Sequence, residues 1–107
     1  MTKFFISMPM VNKSDAEIIK QEQECRKWIA NWCGDYAESS DGYVYEDAPS
    51  NLNGGQIGVW YIAKSLEKMA ECDAVVMWGD WKNARGCLLE REVAIKYGIP
   101  VVENGGE

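Results

Sequence analysis

The sequence predicts an α/β protein in which a parallel sheet of about four strands lies between helices. Short apolar runs alternate with longer segments of helical periodicity along the 107 residues, in the order βαβαβαβ. The run at 74–78 contains no polar residue, which is typical of a parallel strand covered on both faces. We therefore expect a three-layer Rossmann-like (flavodoxin-like) sandwich with strand order 2-1-3-4, formed by one domain over residues 1–107.

The first strand and the first helix have clear boundaries. Residues 3–8 are mainly apolar and end at Pro9, which predicts a buried strand. Ser14 and Glu17 have the spacing of a capping box, so the first helix begins there. Gly34 is expected to end it.

The middle of the chain supplies the second strand and the second helix. Residues 43–46 follow the turn-forming pair at 41–42 and predict a short strand. Residues 47–56 are rich in Gly, Pro and Asn and predict a loop. A helix is then expected over 58–72. Six residues are predicted to form its apolar side: Val59, Ile62, Ala63, Leu66, Met69 and Ala70.

The last part of the chain completes the alternation. The apolar strand at 74–78 is followed by a loop at 79–85 and by a helix at 86–97 that Gly98 ends. A final strand is expected at 100–103. In parallel sheets ligands bind beyond the carboxyl ends of the strands, so the loops after the first and third strands should border the ligand site.

The third predicted helix carries a carboxylate within its apolar stripe. At about 100° per residue, four residues share one face: Glu90, Val93, Ala94 and Tyr97. Glutamate is almost never fully buried without a partner, so Glu90 is the candidate catalytic residue. The alternative is a surface ion pair with Arg85 or Arg91.

Composition excludes several classes of function. The net charge is −6, which argues against a groove for a nucleic-acid polymer. The chain has no histidine and no C-x-x-C pair, so neither a metal site nor another cofactor is expected. The four cysteines are interpreted as reduced thiols of a cytoplasmic protein. No segment has the length of a membrane span or the pattern of a signal peptide.

The loop before the third helix offers groups for an anion and for an aromatic base. Asn83, Arg85 and Gly86 open the helix, and the free amides there attract phosphate. The alternative is an ordinary helix start. Trp78 and Trp81 flank the loop and could stack on a base, or could instead belong to the core or to an interface.

Several motifs together resemble the nucleoside 2-deoxyribosyltransferase superfamily, and within it a small bacterial and phage branch. They are FISMPM at 5–10, AECDAVV at 70–76, Gly86 with Glu90 four residues on, and GIPV at 98–101. The resemblance implies cleavage of an N-glycosidic bond in a nucleoside or nucleotide, with Glu90 as the nucleophile that forms a covalent glycosyl-enzyme. It also places Ser7, Met8 and Pro9 near the ribose.

The sequence departs from that superfamily at three positions. Ser65 stands where an aspartate is frequent, Ala84 where an acidic residue or serine is frequent, and Phe5 where a tyrosine is usual. Asp47 or Asp80 could supply a second carboxylate from neighbouring loops. The departures favour an alternative function, in which the same fold sequesters a nucleotide-derived ligand without turnover. A purely structural role is the third possibility, and it leaves Glu90 unexplained.

A homodimer or larger homo-oligomer is also expected. Leu88 and Ile95 face away from Glu90 on the third helix, where the sheet cannot cover them. Three tryptophans on predicted helices, Trp28, Trp32 and Trp60, add more apolar surface than a small core encloses.

Overall fold

The computed structural model describes residues 2–34, 37–41 and 46–103. Its elements are β1 (Lys3–Ser7), α1 (Asp15–Cys33), β2 (Glu38–Asp41), α2 (Gly54–Met69), β3 (Ala74–Met77), α3 (Arg85–Lys96) and β4 (Val101–Glu103), with one 3-10 turn (Trp81–Asn83) before α3. The strands pair in the order β2-β1-β3-β4, and every pair is parallel. This confirms the predicted fold class and strand order.

Successive residues of β1 point to opposite layers of the sandwich, as strand geometry requires. Phe4 and Ile6 lie in a core shared with α1, whereas Phe5 lies in a core shared with α2 and α3. The α1 side contains Phe4, Ile6, Met8, Ile18, Cys25, Ile29, Ala74 and Val76. The opposite side contains Phe5, Met69, Val75, Met77, Trp81, Cys87 and Ala94.

The boundaries of α1 agree with the sequence signals. The backbone N–H of Glu17 donates to Ser14 Oγ at 3.2 Å, and the backbone N–H of Ser14 donates to Glu17 Oε1 at 3.1 Å. This is the expected capping box. Gly34 follows the helix with a φ of 80°, a conformation that favours glycine.

The second strand lies earlier than the sequence predicts. β2 is the polar segment Glu38–Asp41, paired along β1 from Lys3–Glu38 to Ile6–Asp41. Of the predicted strand at 43–46, residues 43–45 lie outside the described residues and Glu46 is in a bend. An edge strand needs no apolar run, because pairing with β1 supplies its backbone hydrogen bonds. The side chain of Arg26 on α1 also donates to the carbonyl of Ser39 at 2.9 Å.

The second helix begins four residues before the predicted position. Asn53 and Gln56 form a capping box that starts α2 at Gly54, so the adjacent glycines lie inside the helix rather than in a loop. Its buried residues are Ser65 and Met69, whereas Val59, predicted to face inward, is 66% exposed. The predicted apolar side is therefore wrong in part, because the helix turns Ser65 toward the sheet.

Tyr97 also differs from its prediction. The sequence places it on the inward face of the third helix, but its side chain is 81% exposed. The helix ends at Lys96, and Tyr97 has φ −102° and ψ 10°, so the helical spacing no longer sets its direction. Within the described part of the chain, no helix is long and apolar enough to cross a membrane.

Candidate functional site

A buried hydrogen bond joins the end of β1 to α3. Ser7 Oγ donates to Glu90 Oε1 at 2.7 Å, and the two residues are only 1% and 7% exposed. Ser7 has the same strand parity as Phe5, so it points to the layer that contains α3. The carboxyl end of β1 therefore holds the glutamate that the sequence places in the apolar stripe.

Ser65 of α2 is a second hydroxyl partner of Glu90. It is 4% exposed, and its side chain hydrogen-bonds with the Glu90 carboxyl group. Ser65 Oγ also donates to the carbonyl oxygen of Ile62 at 2.9 Å. The sequence marked Ser65 only as a replacement for an aspartate. Its place beside Glu90 depends on how α2 packs against α3.

Cys87 is a further buried residue of this region, and from the sequence it is interpreted only as one of four reduced thiols. Its thiol hydrogen-bonds with the side chain of Ser7, which lowers the pKa of the thiol, and the nearby charge of Glu90 raises that pKa. Burial is the larger effect and raises the pKa of Cys87 to about 12, although the hydrogen bond with Ser7 acts in the opposite direction. Cys87 is therefore a neutral thiol that can donate to Ser7 Oγ, while Ser7 donates to Glu90.

Glu90 has no basic partner among the residues that the structure describes. Arg91 Nε pairs with Glu103 Oε1 at 2.6 Å instead. The guanidinium of Arg85 extends toward α2, where a methyl group added to Gly58 would lie 3.9 Å from Nη2. The surface ion pair considered for Glu90 is thus absent from the described residues. Burial raises the pKa of Glu90, and the side-chain hydrogen bonds with Ser7 and Ser65 oppose that rise.

The two residues after Ser7 do not lie beside it in the site. Met8 is buried in the core on the α1 side of the sheet, the layer opposite Glu90. Pro9 is half-buried, and its carbonyl accepts a hydrogen bond from Gln21 Nε2 at 2.9 Å. Of the three residues expected near the ribose, Ser7 alone contacts Glu90 in the described chain.

The predicted stacking residues are held by other side chains. Trp81 is 5% exposed and belongs to the core between the sheet, α2 and α3. Lys82 Nζ and Arg91 Cζ lie 5.6 and 5.5 Å from its ring centroid. Trp78 packs against Trp28 on the other layer, with ring centroids 5.9 Å apart. Trp81 is therefore a core residue rather than an exposed stacking platform.

The start of α3 carries the predicted anion-binding groups at the surface. Arg85 and Gly86 form its first turn, and both are exposed. The amide of Asn83 donates to Asp80 Oδ1 at 2.8 Å and to Oδ2 at 3.1 Å. The Asn83 amide is thus already bound by Asp80. Arg85 is the first residue of α3, so its guanidinium is the positively charged group nearest in sequence to the start of the helix.

Neither candidate for a second carboxylate contacts Glu90. Asp47 is exposed in the segment before α2, and Asp80 is exposed and bound by Asn83. In the part of the chain that the structure describes, the hydrogen-bond partners of the Glu90 side chain are Ser7 and Ser65. In the same residues no group of three or more His, Cys, Asp or Glu side chains could hold a metal ion.

Within the described residues, the fold and this site define an α/β protein with a buried carboxyl group, that of Glu90, at the carboxyl edge of a parallel sheet. The chain belongs to the family described as a domain of unknown function, DUF4406, whose family model matches residues 35–103. That segment contains β2, α2, β3, α3 and β4, and so both Ser65 and Glu90. No curated protein and no solved structure matches the chain.

Proposed function

We propose that this protein cleaves or transfers at the N-glycosidic bond of a (deoxy)nucleoside or its monophosphate. The observation that carries the proposal is the buried Glu90 carboxyl group, held by Ser7 at the carboxyl edge of the sheet. A carboxyl group in that position costs stability, and such a cost is typical of a functional site. The resemblance to nucleoside 2-deoxyribosyltransferases supplies the reaction.

In the proposed reaction Glu90 acts as the nucleophile. A carboxylate oxygen of Glu90 bonds to the anomeric carbon, the bond from that carbon to the base breaks, and the base leaves with the electron pair and takes up a proton. Water or a second base then attacks the anomeric carbon and releases Glu90. Ser7 orients the carboxylate by donating to Oε1.

A 5′-phosphate on the substrate would dock at the start of α3. The first turn of this helix offers free backbone amides and the positive end of the helix dipole. Arg85 lies in this turn and makes no salt bridge in the described residues. We therefore assign the phosphate to Arg85 and the neighbouring amides, including that of Gly86.

A test of the function is to incubate the protein with a panel of nucleosides and monophosphates and to measure free base by chromatography. Base release should be lost in Glu90→Gln, which keeps the size of the side chain and removes its charge. Glu92→Gln on the exposed side of α3 is the matched control and should keep full activity. Base release that persists in pure, folded Glu90→Gln contradicts the proposal.

A second candidate is a protein that binds and sequesters a nucleotide-derived ligand without turnover. The supporting observation is that Glu90 hydrogen-bonds with Ser7 and Ser65, whereas Asp47 and Asp80 are exposed in other segments. Retaining glycosidases use two carboxyl groups, and among residues 2–34, 37–41 and 46–103 no second carboxyl group is seen beside Glu90. Calorimetric binding of a panel member that is recovered intact after long incubation favours this candidate.

We also propose that the protein forms a homodimer in the cytoplasm. The large exposed apolar side chains of α2 and α3 are Val59, Tyr61, Leu88, Leu89 and Ile95. Both helices cover the same side of the sheet, so a second copy could bury these residues together. The four cysteines are free thiols, as a reducing compartment favours.

A further inference from the structure

Glu90 is buried, but the turn of α3 directly before it is open. Gly86 and Glu90 are four residues apart and therefore lie on one face of the helix, yet Gly86 is exposed and Glu90 is only 7% exposed. Side chains of a helix lean toward its N-terminus, so the Glu90 side chain is directed toward the turn that contains Gly86. The start of α3 is therefore the open surface nearest to the carboxyl group along the helix.

Ile62 of α2 lies at the step between this open turn and Glu90. A methyl group added to Gly86 would lie 3.9 Å from Ile62 Cδ1, an ordinary van der Waals distance. The chain neighbours of Gly86 aside, no other side chain of the described residues comes within 4 Å of that position. Ile62 is therefore the side chain that α2 places against the open turn of α3.

The exposure of α2 changes at the same level. None of residues 54–64 is buried, whereas Ser65, three residues after Ile62, is 4% exposed. One turn before Ile62, the same face of α2 carries Gly58, which has no side chain, and Val59, which is 66% exposed. Ile62 is thus the last side chain on the inward face of α2 before that face becomes exposed.

Gly58 and Gly86 leave a notch between the two helices. A methyl group added to Gly58 would lie 3.9 Å from Arg85 Nη2, and Arg85 precedes Gly86 in α3. Since Ile62 is four residues from Gly58 and touches the space above Gly86, both glycines border the same gap. The notch therefore has a guanidinium at its rim and the Ile62 side chain at its base, next to the turn that Glu90 faces.

We propose that this notch is the entrance to Glu90 and that Ile62 closes it. Ile62 is only half-buried, so its side chain can change rotamer and move away from Gly86 while α2 stays folded. An anionic ligand would meet Arg85 first and would displace Ile62 to reach the carboxyl group. The inference rests on the proposed function only for the identity of that ligand, because the entrance itself follows from packing and exposure.

The test is chemical labelling of the Glu90 carboxyl group in the free protein. A water-soluble carbodiimide activates the carboxyl group, glycine ethyl ester converts it to an amide, and peptide mass spectrometry follows the product. Exposed Glu92 in the same helix is the internal reference and should react much faster than Glu90. Ile62→Ala should accelerate labelling of Glu90 roughly tenfold, which corresponds to about 1.4 kcal/mol in the free energy of opening. The rate at Glu92 should not change.

Leu66→Ala is the matched control for general loosening of α2. Leu66 lies one turn after Ile62 on the same face, is also half-buried and loses a side chain of the same size. It should leave the rate at Glu90 close to that of the parent protein. Ile62→Leu keeps the side-chain volume and should also keep the parent rate.

Two results overturn the inference: an unchanged rate at Glu90 in Ile62→Ala, or an equal acceleration in Ile62→Ala and Leu66→Ala. The first means that Ile62 does not close the path, and the second that the whole of α2 must loosen before Glu90 is reached. Labelling needs no nucleoside, so its outcome is separate from whether base is released. A protein that labels as expected and releases no base keeps the entrance and loses the proposed reaction.

Discussion

Ser7 and Glu90 are separated by 83 positions in the sequence and joined by a hydrogen bond of 2.7 Å in the folded chain. Ser7 ends the central strand β1, and Glu90 lies in the second turn of α3. The bond thus connects the carboxyl end of a central strand with the helix that follows the neighbouring strand β3. Because the carboxyl group of Glu90 is buried, its pKa is raised, and its ionisation affects the stability of the fold.

The stability of the protein should fall as pH rises because of Glu90. Its pKa is raised above the ordinary 4.5 in the folded state, so between these two values the unfolded chain loses a proton that the folded chain keeps. The contribution is complete below 4.5 and lost as pH rises through the folded value. A tenfold difference in proton affinity between the folded and unfolded chains corresponds to about 1.4 kcal/mol of stability.

Chemical denaturation at several pH values measures this effect. Glu90→Gln has no carboxyl group to ionise, so its free energy of unfolding should increase relative to the parent protein as pH rises. Glu92→Gln, at an exposed position, should show no such trend. A constant difference between the parent protein and Glu90→Gln from about pH 4 to 8 would mean that the pKa of Glu90 is not raised.

Arg85 should distinguish nucleotides from nucleosides. Monophosphates are expected to bind more tightly than the matching nucleosides, and Arg85→Ala should remove most of the difference, roughly 1.5–3 kcal/mol for a charge-assisted contact. Isothermal titration calorimetry measures both affinities. Lys96→Ala is the control, since Lys96 lies at the opposite end of α3. If the parent protein binds monophosphates and the matching nucleosides with equal affinity, the proposal of a phosphate-binding site at Arg85 is wrong.

Gly79→Ala should destabilise the protein more than Gly98→Ala. It has φ of 70°, and a methyl group there would lie 2.7 Å from Gln21 Oε1 and 3.3 Å from Pro9 Cδ. Gly98 has a similar φ of 75° with open space around it. Gly98→Ala should therefore cost roughly 1–2 kcal/mol from the backbone alone, and Gly79→Ala should cost more.

The double variant Gln21→Ala with Gly79→Ala separates the two contributions in denaturation experiments. Removal of the Gln21 side chain should recover part of the loss, because one of the two contacts is relieved. If the losses in the free energy of unfolding for Gln21→Ala and Gly79→Ala simply add in the double variant, the Gln21 side chain does not clash with a methyl group at position 79. Gln21 also binds the Pro9 carbonyl, so it connects the segments that follow β1 and β3.

The protein should be a homodimer or larger homo-oligomer in solution. Light scattering at micromolar concentration is expected to give at least twice the mass of one 12.1 kDa chain. Leu88→Lys with Ile95→Lys should reduce the mass to one chain, because these residues are 45% and 51% exposed on α3. Ile19→Lys, 50% exposed on α1, is the control and should leave the assembly intact. A monomeric parent protein refutes the interface.

Part of the candidate site is visible in the sequence. Glu90 stands out because an amphipathic helix reveals a carboxylate on its apolar side within a few turns. Ser65 and Cys87 do not stand out, since a small side chain on a helix looks the same in a core and in a site. Met8 looks like a site residue by its proximity to Ser7, yet strand alternation directs it to the other layer.

The sequence by itself determined the alternation of helices and strands, the order of the sheet and the start of α1, because these depend on local periodicity, capping and the rules of parallel connections. Only the tertiary structure decided the position of β2, whose polar residues form a strand by pairing with β1. It also decided the partners of Glu90. Hydrogen bonds between distant segments arise from packing of α2 and α3 on one side of the sheet, and no local pattern records them.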